Sequence, residues 1–402
     1  MLAGILLFTA ASLLCGVAPT LWLLIAARAV QGLGAAIMMA LSMAFVGATV
    51  NKAKTGSAMG LLATMSAVGT ALGPSLGGVL IAGTGWRAIF FVTVPLGILS
   101  FFLARRYLPA DRLQNKADTA GFDLVGTLLL ALTLAAYALA MTTRQGHAHG
   151  SFGPLNIALL VAAGIGAGLF VVAEAKAASP LIRLAMFRDA GLSASLAMSA
   201  LVSTVMMATL VIGPFYLSRA LRLDAAMVGL VLSAGPLAAA LAGVPAGRLA
   251  DRFGAQRMTI AGLSAMTAGA FILSVLPATL GVPGYVGPMV VITVGYALFM
   301  TANNTAVMAD VSPDQRGVIS GLLSLSRNLG LITGASAMGA VFALASKAAD
   351  ITTASPGAVA TGMQITFAVA AALIALALGI AMAVALAGRS FAARKAARAD
   401  MN

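Results

Sequence analysis

Stretches of about 20 apolar residues recur along this chain, the length that crosses the roughly 30 Å hydrocarbon core of a bilayer. Nothing else in the sequence constrains its fold as strongly. Twelve such segments can be drawn, over 2–18, 21–48, 57–82, 86–104, 122–142, 154–173, 190–217, 225–247, 258–279, 286–309, 317–345 and 362–388. Segments this apolar must satisfy their backbone hydrogen bonds internally, which leaves the α-helix. A membrane barrel needs short stretches of alternating polarity instead. Composition agrees: the chain is 61% hydrophobic and 9% charged, where a soluble domain carries about a quarter charged residues. The fold class expected is an all-α polytopic membrane protein. The opening run, MLAGILLFTAASLLCGVAP, has no Lys or Arg ahead of it. It therefore reads as a first membrane helix rather than a signal peptide.

The net charge is +13, with 24 Lys and Arg. In a soluble protein that would suggest nucleic acid. Here the basic residues sit in short loops without interleaved aromatics, so no nucleic-acid partner is expected. With the N-terminus placed inside, seventeen of the 24 fall on the inner side and five on the outer, leaving Arg28 and Arg327 within helices. That bias predicts cytoplasmic termini. Residues 389–402 read as a cytoplasmic basic tail suited to anionic lipid. Polar loops at 105–121 and 174–189 bracket the helix pair 122–173, which reads as a linker between two bundles. Four helices precede it and six follow. Transporters are commonly built from repeated halves, so the count is two helices short.

Several residues stand out against this apolar background. Arg28, in LIAARAVQGLGAA, lies about 10 Å below the outer end of its helix at 1.5 Å per residue. An Arg at that depth is expected to face protein or a wet cavity, or to snorkel outward. Gln31 and Gly32 follow one turn on and favour the functional reading. The third segment contains Gly60, Gly69, Gly73, Pro74, Gly77 and Gly78. Gly69, Gly73 and Gly77 repeat every four residues and share one face. Such a stripe lets another helix approach closely, and Pro74 predicts a kink. Trp86 and Arg87 read as interfacial anchors.

GRLADRFGAQR, residues 247–257, reads as a tight turn between helices. Gly247 and Gly254 suit the turn, and Asp251, Arg252, Arg248 and Arg257 are candidates for ion pairs that hold helix ends in one state. Arg327 lies about 16 Å into the eleventh segment, near the midplane, and is a functional candidate by its depth. Asn303, Asn304 and Asn328 are candidate cavity polar residues. Met38, Met39, Met206 and Met207 could line an adaptable pocket or simply pack. The eleven acids all fall in loops, at helix ends or in the tail. His147 and His149 fall in an outer loop and read as solvated. With one cysteine, Cys15, no disulfide or cysteine metal cluster is expected. No phosphate-cradling Gly-Lys-Ser/Thr loop exists. No catalytic, metal or cofactor site is expected, and an enzyme is not the reading.

Taken together, these motifs resemble the major facilitator superfamily, specifically its fourteen-helix drug:proton antiporter branch. RAVQGLGAA is similar to the superfamily's fourth-helix motif, and the Gly60–Gly78 pattern to its fifth-helix antiporter motif. GWRAIFFVTVPLG resembles the next segment of the branch, with Thr93 where Asn is usual. GRLADRFGAQR resembles the second-half loop motif, and PDQRGVISGLLSLSRNLG, residues 313–330, also matches the branch. The resemblance implies a helical bundle with about 12 of the branch's transmembrane helices in this chain. Residues 1–109 would be a truncated N-terminal bundle of four helices and 110–189 a linker with two more. Residues 190–388 would be the C-terminal six-helix bundle. The family's first two helices, one bearing a membrane-embedded acid, would be missing. Met1 is then expected to be an internal methionine of a longer reading frame, or the gene to be truncated.

The function so implied is proton-driven export of apolar or amphipathic small molecules across a bacterial inner membrane, with the proton gradient in place of a cofactor. Arg28, Gln31, Gly32 and Arg327 would serve proton coupling and transport. The glycine helix would shape the outer contact, and Gly247, Asp251, Arg252, Gly254 and Arg257 would form a cytoplasmic gate. Expected partners are a small-molecule substrate, protons and the bilayer, with a periplasmic adaptor and outer-membrane channel as further candidates to a monomeric chain. The alternatives are a transporter of one specific metabolite and a non-transporting fragment.

Overall fold

A computed structural model of the chain describes residues 1–51, 54–108, 123–142, 153–177, 179–309, 311–312, 315–346 and 354–399. These contain twelve α-helices: α1 (Leu2–Val17), α2 (Leu21–Thr49), α3 (Thr55–Thr84), α4 (Arg87–Tyr107), α5 (Leu124–Thr142), α6 (Pro154–Lys176), α7 (Ala190–Phe215), α8 (Ala225–Phe253), α9 (Ala255–Val275), α10 (Gly281–Ala309), α11 (Arg316–Ser346) and α12 (Pro356–Ala399). Ten stretches among them are long and apolar enough to cross a membrane, by length and composition. The chain is a multi-pass membrane protein.

Local chemistry explains the helix starts and the tolerance of hydroxyls. Asp189 accepts from Gly191 N at 2.7 Å and Leu192 N at 3.0 Å to cap α7, and Asp224 accepts from Met227 N at 2.8 Å to cap α8. Such caps satisfy amides that have no partner within the helix. Inside the apolar segments, Thr9, Thr293 and Thr366 return their hydroxyl hydrogens to carbonyls four residues back. These three hydroxyls are thereby paired within their own helices.

α7–α12 form one bundle around a large core in which Val202, Ile212, Leu263, Ile292, Phe299, Phe367 and Ile374 are completely buried. α1, α2 and α4 pack together beside it. α3 leaves them and lies mainly along α8. α5 and α6 form an antiparallel hairpin that touches α11, where Tyr137 and Thr333 hydroxyls share a hydrogen bond. The basic segment from 389 onward continues α12 as helix through Ala399.

One correction concerns 247–257. The sequence suggested a turn across the whole stretch, but α8 runs on through Phe253 and the turn is Gly254 alone, at φ 90°. A non-glycine residue is strained there. Gly247 is not a turn residue: it lies inside α8, buried against α3.

Candidate functional site at the seam between the bundles

α3 packs along α8 and α10, and α2 packs against α11, so these helices form a seam. Small residues make the tightest part of this seam. A β-carbon on Gly60 would overlap the carbonyl oxygen of Gly243, and one on Gly247 would overlap that of Gly56. Two glycine pairs, each spaced by four residues, thus bring α3 and α8 into backbone contact.

Asp251, one turn beyond Gly247, completes the contact. Its Oδ1 accepts from Gly56 N at 2.7 Å, and its Oδ2 from Ser57 N at 2.8 Å and Ser57 Oγ at 2.6 Å. A carboxylate on α8 therefore caps the first turn of α3. Charge-assisted bonds and the positive helix end both favour it. The expected pairing of Asp251 with Arg252 is not the one formed. Arg252 is exposed and lies over the Phe253 ring, 5.3 Å from its centroid. Asp251, Arg252, Gly254 and Arg257 instead line a hollow of about 620 Å³ at that end. Apolar packing closes the same end of the seam: Met59 of α3 clusters with Met308, Ile319 and Leu323 of the second bundle, with Met43 and Val46 of α2 against them. Ser320 Oγ adds a 2.7 Å bond from α11 to the carbonyl of Ala40.

Deeper in the seam lies Arg327. Its Nη2 is 3.6 Å from Met39 Sδ, the Tyr296 hydroxyl faces the guanidinium, and its Nε is buried without a partner. The sequence reading singled out Arg327 and Met39, and the structure brings them together from helices 288 positions apart. Tyr296 was missed, because nothing in a sequence says which tyrosine of α10 faces α11.

Arg28 lies elsewhere. It is exposed, with Nη1 2.7 Å from Gln31 Oε1 and its guanidinium 5.8 Å from the Phe90 ring centroid. Gln31 is buried and passes the chain on, Nε2 to Ser12 Oγ at 2.7 Å, and Ser12 Oγ donates to Phe8 O at 2.7 Å. Arg28 ends a polar chain that enters between α1 and α2. Ser12 was also missed. Gly32 is exposed beside it. Arg87 does more than anchor: its Nη2 donates to Ala18 O at 3.0 Å.

Among the described residues, nothing lies within 4 Å of a β-carbon built at Gly69 or Gly73, and at Gly77 only Ile89 Cδ1 is at 4.0 Å. α3 is continuous helix through Pro74 and Gly78, whose surroundings lie outside the described residues. Asn303 is buried, donates to Ser195 O at 3.4 Å, and lines a cavity of about 430 Å³ with Gln256, Thr259 and Gln315, inside the second bundle rather than at the seam. Asn304 is half-buried, and Asn328 is exposed with its amide on Ser324 O at 2.9 Å. His147 and His149 lie outside the described residues.

The sequence profile of the Major Facilitator Superfamily matches residues 1–335. The chain belongs to this superfamily, a family of transporters rather than enzymes. It is 31% identical over 332 residues to the uncharacterized transporter YebQ of Escherichia coli (strain K12), covering 83% of this chain and 72% of YebQ. It is 32% identical over 351 residues to the multidrug resistance protein Stp of Mycobacterium tuberculosis, covering 85% of this chain and 63% of Stp. The riboflavin transporter RibZ of Clostridioides difficile is 30% identical over 342 residues, 85% of this chain and 72% of RibZ. In three dimensions the chain is similar to the human organic anion transporter MFSD10, with a TM-score of 0.66 at 15% identity, over 94% of this chain and 76% of that one. The last likeness concerns the fold. The chain thus spans 63% to 72% of the length of these three curated relatives.

Proposed function

We propose that this superfamily member is a proton-coupled exporter of apolar or amphipathic small molecules, of the drug:proton antiporter type. The observation that carries the reading is the Asp251 cap. A carboxylate on α8 that holds the amides of Gly56 and Ser57 is a polar latch between bundles. Such a contact can break and re-form as one bundle rocks against the other. The latch lies at the end of the seam that the charge bias assigns to the cytoplasm, so the closed contact there would belong to a state accessible from outside. The Arg28–Gln31–Ser12 chain would serve proton coupling, and Arg327 at the seam would face the transport path. The bacterial plasma membrane is the location proposed, with both termini cytoplasmic. About 30% identity to multidrug resistance proteins supports the substrate class.

Similar identity to a riboflavin transporter supports a second reading, transport of one specific metabolite. The test is an efflux-deficient bacterial strain producing this chain, assayed for resistance across a drug panel and for riboflavin and other metabolite export. Drug resistance abolished by an uncoupler and by Arg28→Ala supports antiport. Export of a single metabolite alone replaces it with the second reading. A folded, membrane-inserted chain that exports nothing overturns both in favour of a non-transporting fragment.

A further inference from the structure

The seam uses one acid, Asp251. Two others meet at the end of the linker hairpin. Asp123 immediately precedes α5, and Glu174 sits in the last turn of α6, its antiparallel neighbour. Glu174 is 3% exposed. Each carboxylate has one oxygen engaged: Asp123 Oδ1 accepts from Gly126 N at 2.8 Å, and Glu174 Oε2 accepts from Ile182 N at 3.2 Å. Each has its second oxygen, Asp123 Oδ2 and Glu174 Oε1, buried without any hydrogen-bond partner. These two oxygens converge. A β-carbon on Gly126 would overlap Asp123 Oδ2 and lie 2.6 Å from Glu174 Oε1. Glycine at 126 is what leaves them room.

The charged groups on the elements around the pair are Lys176 at the end of α6, Arg183 beside Ile182, Arg188 in the 3-10 turn Leu184–Arg188, Asp189 at the start of α7 and Arg316 at the start of α11. Among the described residues, none is bonded to either carboxylate. Two ionised carboxylates that reach the same glycine repel one another, and each would keep a buried oxygen that no donor meets. A single proton satisfies both. Placed on Glu174 Oε1, it turns that oxygen into a donor toward Asp123 Oδ2. The N-terminus of α5 favours the one negative charge that remains.

We propose that Asp123 and Glu174 form a proton-binding pair that holds one hydrogen between Asp123 Oδ2 and Glu174 Oε1. The proton is taken from and returned to water at this end of the bundle; only the O–H bond forms and breaks. Its loss leaves two negative charges beside the same glycine, and their repulsion drives Glu174 away from Gly126. Glu174 holds Ile182 N, and Ile182 packs with Phe170 of α6 and Leu322 of α11. Proton occupancy therefore sets how the linker hairpin is held against α11. This assignment is independent of what the chain transports.

The test is infrared spectroscopy of the purified full chain in lipid nanodiscs at neutral pH, in water and in deuterium oxide. The expected result is a protonated-carboxyl C=O band that shifts in deuterium oxide and is lost in both Asp123→Asn and Glu174→Gln. Because Gln supplies an N–H toward Asp123, Glu174→Gln is expected to keep the thermal midpoint while Glu174→Ala lowers it. If a variant fails to fold, carboxyl-13C aspartate or glutamate in the unchanged chain assigns the band by its isotope shift. Absence of the band in the unchanged chain, or its survival in both variants, overturns the proposal. Carboxylate bands that move when sodium, magnesium or calcium is added to metal-stripped protein, and stay fixed in Glu174→Gln, also overturn it, in favour of a cation.

Discussion

Helix α11 places Gly330 and Gly334 four residues apart, and α3 places Gly69, Gly73 and Gly77 at the same spacing. On α11 a β-carbon at either glycine would overlap a backbone oxygen of α7, that of Ala200 or of Thr204. The Thr204 hydroxyl crosses the same interface to Gly330 O at 3.1 Å. On α3 the stripe Gly69, Gly73 and Gly77 has no such neighbour among the described residues, while Gly56 and Gly60 of the same helix are pressed against α8. A small-residue stripe thus gives a helix the capacity for close approach. Whether the approach happens depends on where the rest of the chain puts a second helix. The surrounding cores differ in the same sense. α7–α12 bury a continuous set of large side chains, whereas buried apolar residues of α1 and α2 are few and mostly small, among them Ala11, Cys15 and Ala27.

The contrast can be broken most forcefully at Gly330. Gly330→Leu would drive a side chain into the α7 backbone and is expected to cost about 3 kcal/mol or more. Folded, monodisperse protein should be lost on size-exclusion chromatography, while Gly73→Leu elutes as the unchanged chain does. Equal loss from both would end the distinction. At the seam, Gly60→Val should separate α3 from α8 at a cost of about 2–3 kcal/mol, read as faster amide exchange at 56–62. Asp251→Ala removes three acceptor contacts and should cost about 2 kcal/mol. It should also raise thiol labelling of Ser57→Cys relative to the same reporter with Asp251 intact. Ser320→Ala removes one bond to Ala40 O, worth about 1 kcal/mol, and should lower the thermal midpoint slightly. Smallest is Gly73→Ala. With open space on that face, the better helix former should raise stability by less than about 1 kcal/mol. A drop instead would mean that the stripe is occupied in the membrane.

Much of the architecture was legible because a bilayer leaves an apolar segment little choice. Each of the twelve apolar runs is a helix, with ends displaced by up to a turn or so in most cases. The misreadings fall where charge and glycine were taken as signs of a loop. Gly247 and Asp251 looked like turn residues, since a soluble turn uses the same types, yet both continue α8. Glycine at 247 serves backbone contact with α3, and the Asp251 carboxylate reaches amides 194 and 195 positions away. The candidate site was legible in part. Arg327 and Met39 were visible as unusual or adaptable residues, but their meeting was not. Ser12, Ser57 and Tyr296 went unnoticed because serine and tyrosine are common in such helices and carry no spacing signal.

The sequence by itself determined that this chain is helical and membrane-spanning, which residues are costly to leave facing lipid, and which helix faces are small enough for close contact. These are properties of single segments in an apolar solvent, fixed by backbone hydrogen bonding and transfer cost. Tertiary structure alone decided the partners: Gly60 on Gly243, Asp251 on the first turn of α3, Arg327 beside Tyr296, Glu174 against Asp123. Each pair is separated by many residues and joined by packing between helices. Several helix pairings satisfy the same local pattern, and only the folded chain selects among them.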